Sequence, residues 1–436
     1  MSLLLDIAYG AGLVLGSPLL AYKALTSEKF RTGYRERLGG VAPREGEAPC
    51  VWVHAVSVGE MNLIRPLVAG LAEAHPDWEI ALSTATNTGR ATADKLYAGH
   101  KAFYYPLDFS CTVARALRRI RPSLILLVEL EVWPNFLAAA ARRGVPVAIV
   151  NGRLSERSFG RYRLIRPLMA RWLRRVTRFC VQSEVSAARL KALGAPSERV
   201  IVTGNMKFDS APAEENGLKA ALRALRDEFG LGPDEPVLVG GCTWPGEDEA
   251  LVAMYPRLKA HSPALRLVLA PRQADRFGPV EQLVRRAGLP CVRRTALQAG
   301  ARSEPGAVVL LDTMGELARV YGLATLVFVG GSLIPHGGQS TIEPSAQARP
   351  TLFGPHTANF RDVNEQLLAH GAARRVADAA ELEAALGELL ARPDVAVAMG
   401  QKARQVVDAN RGATRRTLEA LEPFLQAQAK KGIARP

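Results

Sequence analysis

The chain has 436 residues, 48% hydrophobic and 22% charged, a composition typical of a globular α/β protein rather than a disordered or fibrous one. Its length predicts two or three domains, and its formal charge of +14 favours an anionic partner such as nucleic acid, anionic lipid or a phosphorylated substrate. The five cysteines are widely spaced without CxxC pairs and the seven histidines without HExxH spacing, so we expect neither a disulfide framework nor a metal site.

The first segment of the chain is apolar. Residues 7–22, IAYGAGLVLGSPLLAY, carry no charge and are slightly shorter than the roughly 18–20 residues that span a bilayer. Basic residues follow directly, which disfavours a signal peptide and keeps the rest of the chain in the cytoplasm under the positive-inside rule: Lys23, Lys29, Arg31, Arg35 and Arg37. We therefore predict an N-terminal membrane anchor over residues 1–25, either a short span or an interfacial helix, with a buried core helix as the alternative.

Short apolar runs then alternate with amphipathic stretches, the pattern of parallel strands linked by crossover helices. The predicted strands are Val51–Ala55, Ile80–Thr84, Phe103–Tyr105, Leu124–Val128, Val145–Val150, Phe179–Gln182 and Val200–Val202, with helices such as Leu63–Ala74 and Thr112–Ile120. They predict a first Rossmann-like domain over residues 26–208. Within it, nine arginines between Arg153 and Arg178 alternate with apolar residues and predict a basic amphipathic helix, for which a solvated surface helix is the alternative.

The polar stretch DSAPAEENG, residues 209–217, is the best linker candidate because periodic structure resumes only after it. The second series of strands is Val237–Gly240, Arg266–Ala270, Val308–Leu311, Leu326–Val329, Thr351–Phe353 and Ala373–Val376. It predicts a second Rossmann-like domain over residues 218–436, closed by C-terminal helices. Two such domains predict a ligand cleft between the carboxyl ends of their sheets.

Glu60 closes the segment HAVSVGE at a predicted strand-to-helix turn. A carboxylate there is well placed to accept a proton from an attacking hydroxyl. The alternative is structural, since Ser57 to Glu60 matches the capping box, in which the glutamate bonds the N–H of the cap residue.

Two further strand ends in this domain carry charged side chains. Glu129 and Glu131 of VELEVWPN share a strand face if the extended conformation persists, and the alternative is that both favour the start of a helix near Pro134. Lys207 of TGNMKFD is placed to stabilise a developing negative charge, although an isolated lysine is more often solvated.

The second domain offers several weaker signals at strand ends. Arg272 follows a strand in APR, TMGEL opens a helix, and Glu343 lies in PHGGQSTIEP, where an acidic side chain suits ribose hydroxyls. The cluster Glu247 to Glu249 is expected at a helix start without a metal.

Taken in order, WVHAVSVGE, ELEVWPN, NGRLSERS, TGNMKFD, APR, TMGEL, GSLIPHGG and GPHTANF resemble the 3-deoxy-D-manno-octulosonic acid (Kdo) transferases of lipopolysaccharide synthesis. The resemblance runs from the N-terminal anchor to at least Asn359. It implies a GT-B fold and metal-independent transfer of Kdo, without a cofactor, from CMP-Kdo to a hydroxyl of the lipid A precursor (lipid IVA). It places the enzyme at the cytoplasmic face of the inner membrane, where anionic lipid is a further partner and nucleic acid is not.

The same resemblance implies residue roles. Glu60 matches the family's general base for direct, inverting attack, and Glu131 and Lys207 match positions that stabilise the transition state. CMP contacts fall on Pro271 and Arg272, on Met314, Gly315 and Glu316, and on Ser340, Thr341, Ile342 and Glu343. The sequence departs from the family pattern GGHNPLEP at residues 339–342, which read QSTI, so the side chains there differ from those of the family while Glu343 remains.

Two other functions remain as alternatives at this point. One is a GT-B-like transferase or epimerase that uses another nucleotide sugar, since a fold does not choose a substrate. The other is a non-catalytic membrane or nucleic-acid binding protein, which leaves the polar strand ends unexplained.

Overall fold

A computed structural model describes residues 2–26, 32–210 and 217–433. The chain divides into two compact units, residues 1–210 with 411–436 and residues 211–410. Residues 211–216 of the predicted linker, and Lys29 and Arg31 of the basic run, lie outside the described residues.

The first unit is built on a parallel sheet of seven strands. Its strands are β1 (Cys50–His54), β2 (Glu79–Thr84), β3 (Lys101–Tyr104), β4 (Leu124–Val128), β5 (Val147–Gly152), β6 (Arg178–Val181) and β7 (Val200–Val202). Its helices are α1 (Ser2–Thr26), α2 (Tyr34–Arg37), α3 (Val58–Leu63), α4 (Arg65–Ala74), α5 (Asn87–Leu96), α6 (Ser110–Ile120), α7 (Pro134–Arg142), α8 (Glu156–Leu164), α9 (Arg166–Leu173) and α10 (Glu184–Ala192).

The order of this sheet is β3-β2-β1-β4-β5-β6-β7. Successive side chains of a strand point to opposite faces of the sheet. Both of these faces are covered. Trp52 of β1 packs with Phe136 and Phe179 on one face, whereas its neighbours Val51 and Val53 belong to the hydrophobic core on the other. The continuous apolar runs of the sequence are therefore strands buried on both sides.

The second unit repeats this architecture with its own parallel sheet of seven strands. The strands are β8 (Val237–Thr243), β9 (Arg266–Pro271), β10 (Cys291–Arg293), β11 (Val308–Leu310), β12 (Leu326–Val329), β13 (Thr351–Phe353) and β14 (Ala373–Arg375). The helices are α11 (Leu218–Glu228), α12 (Glu247–His261), α13 (Phe277–Arg286), α14 (Arg294–Gln298), α15 (Leu317–Val320), α16 (Ile342–Ala346), α17 (Arg361–Ala369), α18 (Ala379–Ala391) and α19 (Pro393–Asn410). The sheet order is β10-β11-β9-β8-β12-β13-β14.

The last helix, α20 (Ala413–Ile433), packs on the first unit rather than on the second. Its Leu421 and Leu425 are fully buried in the core that also contains Val51 and Val53. The Asp209 carboxylate holds its start, accepting the N–H of Gly412 at 2.7 Å and that of Thr414 at 2.6 Å. The sequence interpretation assigned residues 411–436 to the second domain, because helical periodicity does not tell which sheet a terminal helix covers.

Helix α1 contains the apolar segment and is tied to the first unit near its start. The Asp6 carboxylate accepts the backbone N–H of Ser110 at 2.9 Å and the side-chain amide of Asn135 at 3.0 Å. Tyr9 makes an edge-on ring contact with Phe109. In the part of the chain that the structure describes, no helix is both long enough and apolar enough to cross a membrane.

The arginine-rich segment forms two helices, α8 and α9, and the prediction of one continuous helix over residues 153–178 is wrong. Pro167 explains the break, since proline supplies no N–H and its ring clashes with the carbonyl four residues back, so it fits the first turn of a helix but not the interior. The chain turns at Ile165, with φ −114° and ψ 29°. The turn leaves Leu164 85% exposed beside arginines.

Candidate active site

Glu60 and Glu131 follow the two central strands β1 and β4, which are direct neighbours. From β1 the chain builds the sheet outward in one direction to β3, and from β4 in the other to β7. Such a switch of direction leaves a crevice at the carboxyl ends of the strands, where ligands of open α/β sheets bind. The topology therefore places the carboxylates that sequence reasoning selected at the carboxyl ends of neighbouring strands of the first sheet.

Glu60 lies in the first turn of α3, whose cap is Ser57. Its carboxylate accepts the backbone N–H of Val56 at 2.8 Å and the hydroxyl of Ser57 at 3.0 Å. The capping interpretation expected a bond to the N–H of Ser57 itself, but the carboxylate reaches one residue further back. Glu60 thus stabilises the turn and is held in a fixed orientation at the strand end.

Burial raises the pKa of Glu60, and the nearby charge of Glu129 raises it further. The Val56 N–H, the Ser57 hydroxyl and the ammonium of Lys207 act on this pKa in the opposite direction. A carboxylate whose pKa is raised toward neutrality is a stronger base than an exposed one.

Glu129 and Glu131 do not continue the strand. Glu129 adopts a left-handed conformation with φ 59°, which is uncommon for a non-glycine residue, so the two side chains do not share a strand face as the sequence interpretation expected. Burial raises the pKa of Glu131 to about 7, and the charges of Glu60 and Glu129 add to the rise. The Trp133 indole lies near Glu131 and lowers that pKa in part. Its N–H forms no hydrogen bond within the described part of the chain.

This raised pKa predicts a pH-dependent stability. Between pH 4.5 and about 7 the folded protein holds a proton on Glu131 that the unfolded chain releases, so the free energy of unfolding falls as pH rises. Glu131→Gln removes this loss and is expected to exceed wild type by about 1–2 kcal/mol at pH 8, allowing for solvent screening, and by less at pH 5. Urea titrations at both pH values measure it, with the exposed Glu73→Gln as control. An equal difference at the two pH values would contradict the titration of Glu131.

The charge of Lys207 acts on Glu60, although Lys207 follows β7, the strand at the far edge of the sheet. The chain returns toward α3 and α4 through a single 3-10 turn, Met206–Ser210. The buried Asn151, at the end of β5 with φ 54°, accepts the Met206 N–H at 2.9 Å and so fixes this turn. Its Nδ2 has no hydrogen-bond partner among the described residues. Sequence reasoning did not select Asn151, although the position of an asparagine at a strand end was the available signal.

The nucleotide-binding residues predicted in the second unit also follow neighbouring strands. Pro271 ends β9 and Arg272 follows it, Met314 to Glu316 follow β11, and Ser340 to Glu343 follow β12. Since β11, β9, β8 and β12 are adjacent in that order, all three segments lie at the carboxyl edge of one sheet.

Arg272 and Glu343 are close enough to interact electrostatically. Burial raises the pKa of Glu343, and the exposed Arg272 guanidinium lowers it in part. Burial likewise raises the pKa of the Cys242 thiol to about 12, again with Arg272 opposing the rise. The Glu343 carboxylate accepts no hydrogen bond from the residues that the structure describes, so a cation and an acceptor are both open to a ligand at this edge.

Other side chains of the predicted nucleotide site are engaged within the protein. Glu316 bonds the Thr313 hydroxyl and the Arg294 guanidinium, and these partners hold its pKa below the ordinary value against the effect of burial. The buried Thr341 donates its hydroxyl to the Asn364 amide oxygen at 2.6 Å, and Ile342 is only 1% exposed. These side chains are held by contacts within the protein, whereas Met314 is 66% exposed.

Glu247, which sequence reasoning took as an ordinary residue of a helix start, organises the loop after β12. Its fully buried carboxylate accepts the backbone N–H of Trp244 at 3.1 Å, Gly331 at 2.7 Å, Ser332 at 2.9 Å and Leu333 at 2.9 Å. A Cβ on Gly330 would lie 2.8 Å from its Oε2. The glycine and the buried carboxylate therefore allow the loop to fold tightly against the start of α12.

Glu247→Gln is expected to lower the free energy of unfolding by about 2–3 kcal/mol, because the new amide group faces N–H donors and leaves some of them unpaired. Urea unfolding of the full-length protein measures the loss. The matched control is Glu249→Gln, on the exposed side of the same helix turn, for which we expect a smaller change. Equal effects of the two substitutions would show that the loop does not depend on Glu247.

Two Rossmann-like units, each with polar side chains at the carboxyl edge of its sheet, define a GT-B protein. Residues 32–210 match the 3-deoxy-D-manno-octulosonic-acid transferase (kdotransferase) family. The 3-deoxy-D-manno-octulosonic acid transferase of Haemophilus influenzae is 33% identical over 96% of this chain and 98% of its own length. That of Bordetella pertussis is 38% identical over 91% of this chain and 92% of its own. The chain belongs to the 3-deoxy-D-manno-octulosonic acid transferase family.

The fold is also seen in solved structures of other enzymes. The UDP-GlcNAc 2-epimerase of Neisseria meningitidis, solved with UDP-GlcNAc, matches with a TM-score of 0.57 at 15% identity, over 86% of this chain and all of that one. This likeness shows the fold alone. The GT-B class and the family expected from the sequence are thereby confirmed.

Proposed function

We propose that this Kdo transferase moves Kdo from CMP-Kdo to a hydroxyl of the lipid A precursor, with inversion and without a metal or a cofactor. The observation that carries the proposal is the group formed by Glu60, Glu129, Glu131 and Lys207, whose charges act on one another at the switch point of the first sheet. Paired carboxylates and an amine at a strand-end crevice suit proton removal from a sugar hydroxyl.

In the proposed mechanism, Glu60 removes the proton of the acceptor hydroxyl as that oxygen attacks the anomeric carbon of Kdo. The bond to the CMP phosphate breaks in the same step, so no covalent intermediate with the protein is needed. The Val56 and Ser57 hydrogen bonds aim the carboxylate of Glu60. Glu131 and the ammonium of Lys207 stabilise the charges that develop as the sugar is transferred.

We assign CMP to the carboxyl edge of the second sheet. Arg272 supplies a cation for the phosphate, and Glu343 supplies an acceptor for ribose hydroxyls. Met314 and Gly315, with φ 91° at the glycine, offer exposed backbone to the ligand. Because Glu316, Thr341 and Ile342 are engaged within the protein, we propose that they shape this site, and that Pro271 and Ser340 contact the nucleotide directly.

The acceptor carries phosphates and acyl chains, and the arginine-rich helices provide a matching surface. Leu164, Ile165 and Leu168 are 85%, 40% and 43% exposed at the turn between α8 and α9. Exposed arginines surround them: Arg161, Arg163, Arg166 and Arg171. We propose that this surface, together with α1, holds the acceptor and anionic lipid at the cytoplasmic face of the inner membrane.

The decisive measurement is mass spectrometry of lipid IVA after incubation with the protein, CMP-Kdo and EDTA. We expect an added mass of one or more Kdo units. No added mass with EDTA but transfer after Mg²⁺ is supplied would overturn metal independence, and no transfer under either condition would overturn the donor or acceptor assignment. UDP-GlcNAc in place of CMP-Kdo is the control, because conversion of that sugar would favour the epimerase alternative.

A further inference from the structure

A second basic site lies at the amino ends of the strands in the second sheet. The proposed reaction does not use this end of the sheet. A cavity of about 600 Å³ opens beside the amino ends of β8 and β12, where Pro236 and Thr325 line it. Strand β8 has seven residues, which places the cavity roughly 20 Å from the carboxyl edge of the same sheet. The cavity has the size of a small-molecule site and is separate from the segments that follow the strands.

Four basic side chains line this cavity. Lys219, Arg223 and Arg226 come from α11, and Arg349 comes from the segment that leads into β13. The three residues of α11 are spaced four and three positions apart, so they lie on one face of the helix. One face of α11 and one arginine from a loop therefore line the same cavity.

The acidic residues of the cavity offset this charge only in part. Asp234 and Glu235 also line it and favour the charged form of Arg226, but Glu235 is paired as well with the buried Arg266 at 2.9 Å and accepts the Gly232 N–H at 2.8 Å. Among the described residues, none of the four basic side chains forms an ion pair within 4.0 Å. Arg226 instead donates to the carbonyl oxygens of Gly232, at 2.7 Å, and of Glu235.

Arg349 is the strongest sign of a ligand. Its guanidinium donates to the Gly322 carbonyl, while its buried Nε finds no acceptor within the described part of the chain. Burial lowers the pKa of Arg349, and the neighbouring charge of Arg226 lowers it further. Two partly buried guanidinium groups that repel each other are costly unless an anion binds them, and the planar arginine fork suits a phosphate group.

We propose that this cavity binds a small phosphorylated molecule through Arg226 and Arg349, with Lys219 and Arg223 at its entrance. Its place at the amino edge of the sheet makes it a second anion site, independent of the nucleotide site proposed at the carboxyl edge. A ligand bound there stabilises the second unit by relieving the repulsion between the two arginines.

Titration calorimetry of the full-length protein with pyrophosphate, at ionic strength held constant with NaCl, tests the proposal. We expect saturable binding by wild type that weakens about tenfold or more in Lys219→Ala/Arg223→Ala and in Arg349→Gln, since each removes charge-assisted hydrogen bonds. Both side chains changed in the double variant are exposed, so it reports on binding even if Arg349→Gln fails to fold.

Two variants locate the site. Arg286→Ala removes an exposed arginine from α13 and is expected to bind pyrophosphate as wild type does. Arg272→Ala removes the cation proposed for the nucleotide site, so pyrophosphate bound there is lost, whereas saturable binding at the cavity is expected to remain. Absence of saturable binding by Arg272→Ala would overturn the proposal, as would binding that the double variant retains at wild-type affinity.

Discussion

Glu60→Gln is expected to lower the rate of Kdo transfer by about 10²–10⁴-fold, the loss that follows removal of a positioned general base. The substitution removes only the ability to take the proton. The glutamine oxygen still accepts the Val56 N–H, so the turn into α3 is expected to keep its structure. Initial rates from mass spectrometry of the acceptor, with both CMP-Kdo and the acceptor saturating, give the effect on kcat.

Two controls separate chemistry from folding. Glu73→Gln makes the same change on the exposed surface of α4 and is expected to leave the rate unchanged. Calorimetry with CMP is expected to give the same affinity for Glu60→Gln as for wild type, because CMP is assigned to the other unit. Turnover near the wild-type rate would leave Glu60 with a structural role only, as a residue that stabilises the start of α3.

The same variant also has an expected effect that does not depend on activity. After burial, the charge of Glu60 is the largest cause that raises the pKa of Glu131 to about 7. Glu60→Gln removes this repulsion, so the pKa of Glu131 is expected to fall. Carbonyl-carbon NMR titration of labelled glutamate measures that shift, and an unchanged pKa would contradict the electrostatic coupling of the two carboxylates.

The strands were predictable because both faces of each sheet are buried. Apolar runs such as Leu124–Val128, Leu326–Val329 and Thr351–Phe353 were predicted with the bounds that the structure shows. Strand β10, Cys291–Arg293, was missed because it has three residues at the edge of a sheet and ends in a charged side chain. The split of the arginine-rich segment depended on Pro167, a local signal that the amphipathic pattern obscured.

The places of the candidate residues in the fold were predictable, but their geometry was not. Glu60, Glu131 and Lys207 follow strands as the sequence predicted, and the sheet order brings the first two to neighbouring strands. The conformation of Glu129 and the Asn151 bond that fixes the Lys207 turn both depend on left-handed backbone at non-glycine residues. No spacing rule in a sequence predicts such conformations, since they are maintained by the surrounding packing.

The four backbone hydrogen bonds of Glu247 show the same limit for the second unit. Acidic residues at a helix start favour the positive end of that helix, and this ordinary reason accounted for Glu247 in the sequence. Its main partners lie more than 80 residues further along the chain, at Gly331, Ser332 and Leu333. Only the pairing of β8 with β12 brings that loop to the start of α12.

Lys207→Met is expected to lower the rate of transfer by about 10²–10³-fold, the usual effect of losing one group that stabilises developing charge. It also has a second effect with a defined sign. The ammonium of Lys207 lowers the pKa of Glu60, so its removal raises that pKa and the base loses its proton only at higher pH. The acidic limb of the pH–rate profile is therefore expected to move to higher pH.

The matched control is Lys191→Met, which removes an exposed lysine from α10 in the same unit and is expected to change neither the rate nor the profile. A purely structural role for Lys207 would lower the rate at every pH without moving the limb, because a misplaced turn changes the fraction of active protein and not the charge beside Glu60. A lower rate together with an upward shift of the limb requires Lys207 and Glu60 to act on each other in the working enzyme. An unshifted limb would separate them, leaving the pKa of Glu60 to be set by burial, by the charge of Glu129 and by the hydrogen bonds from Val56 and Ser57.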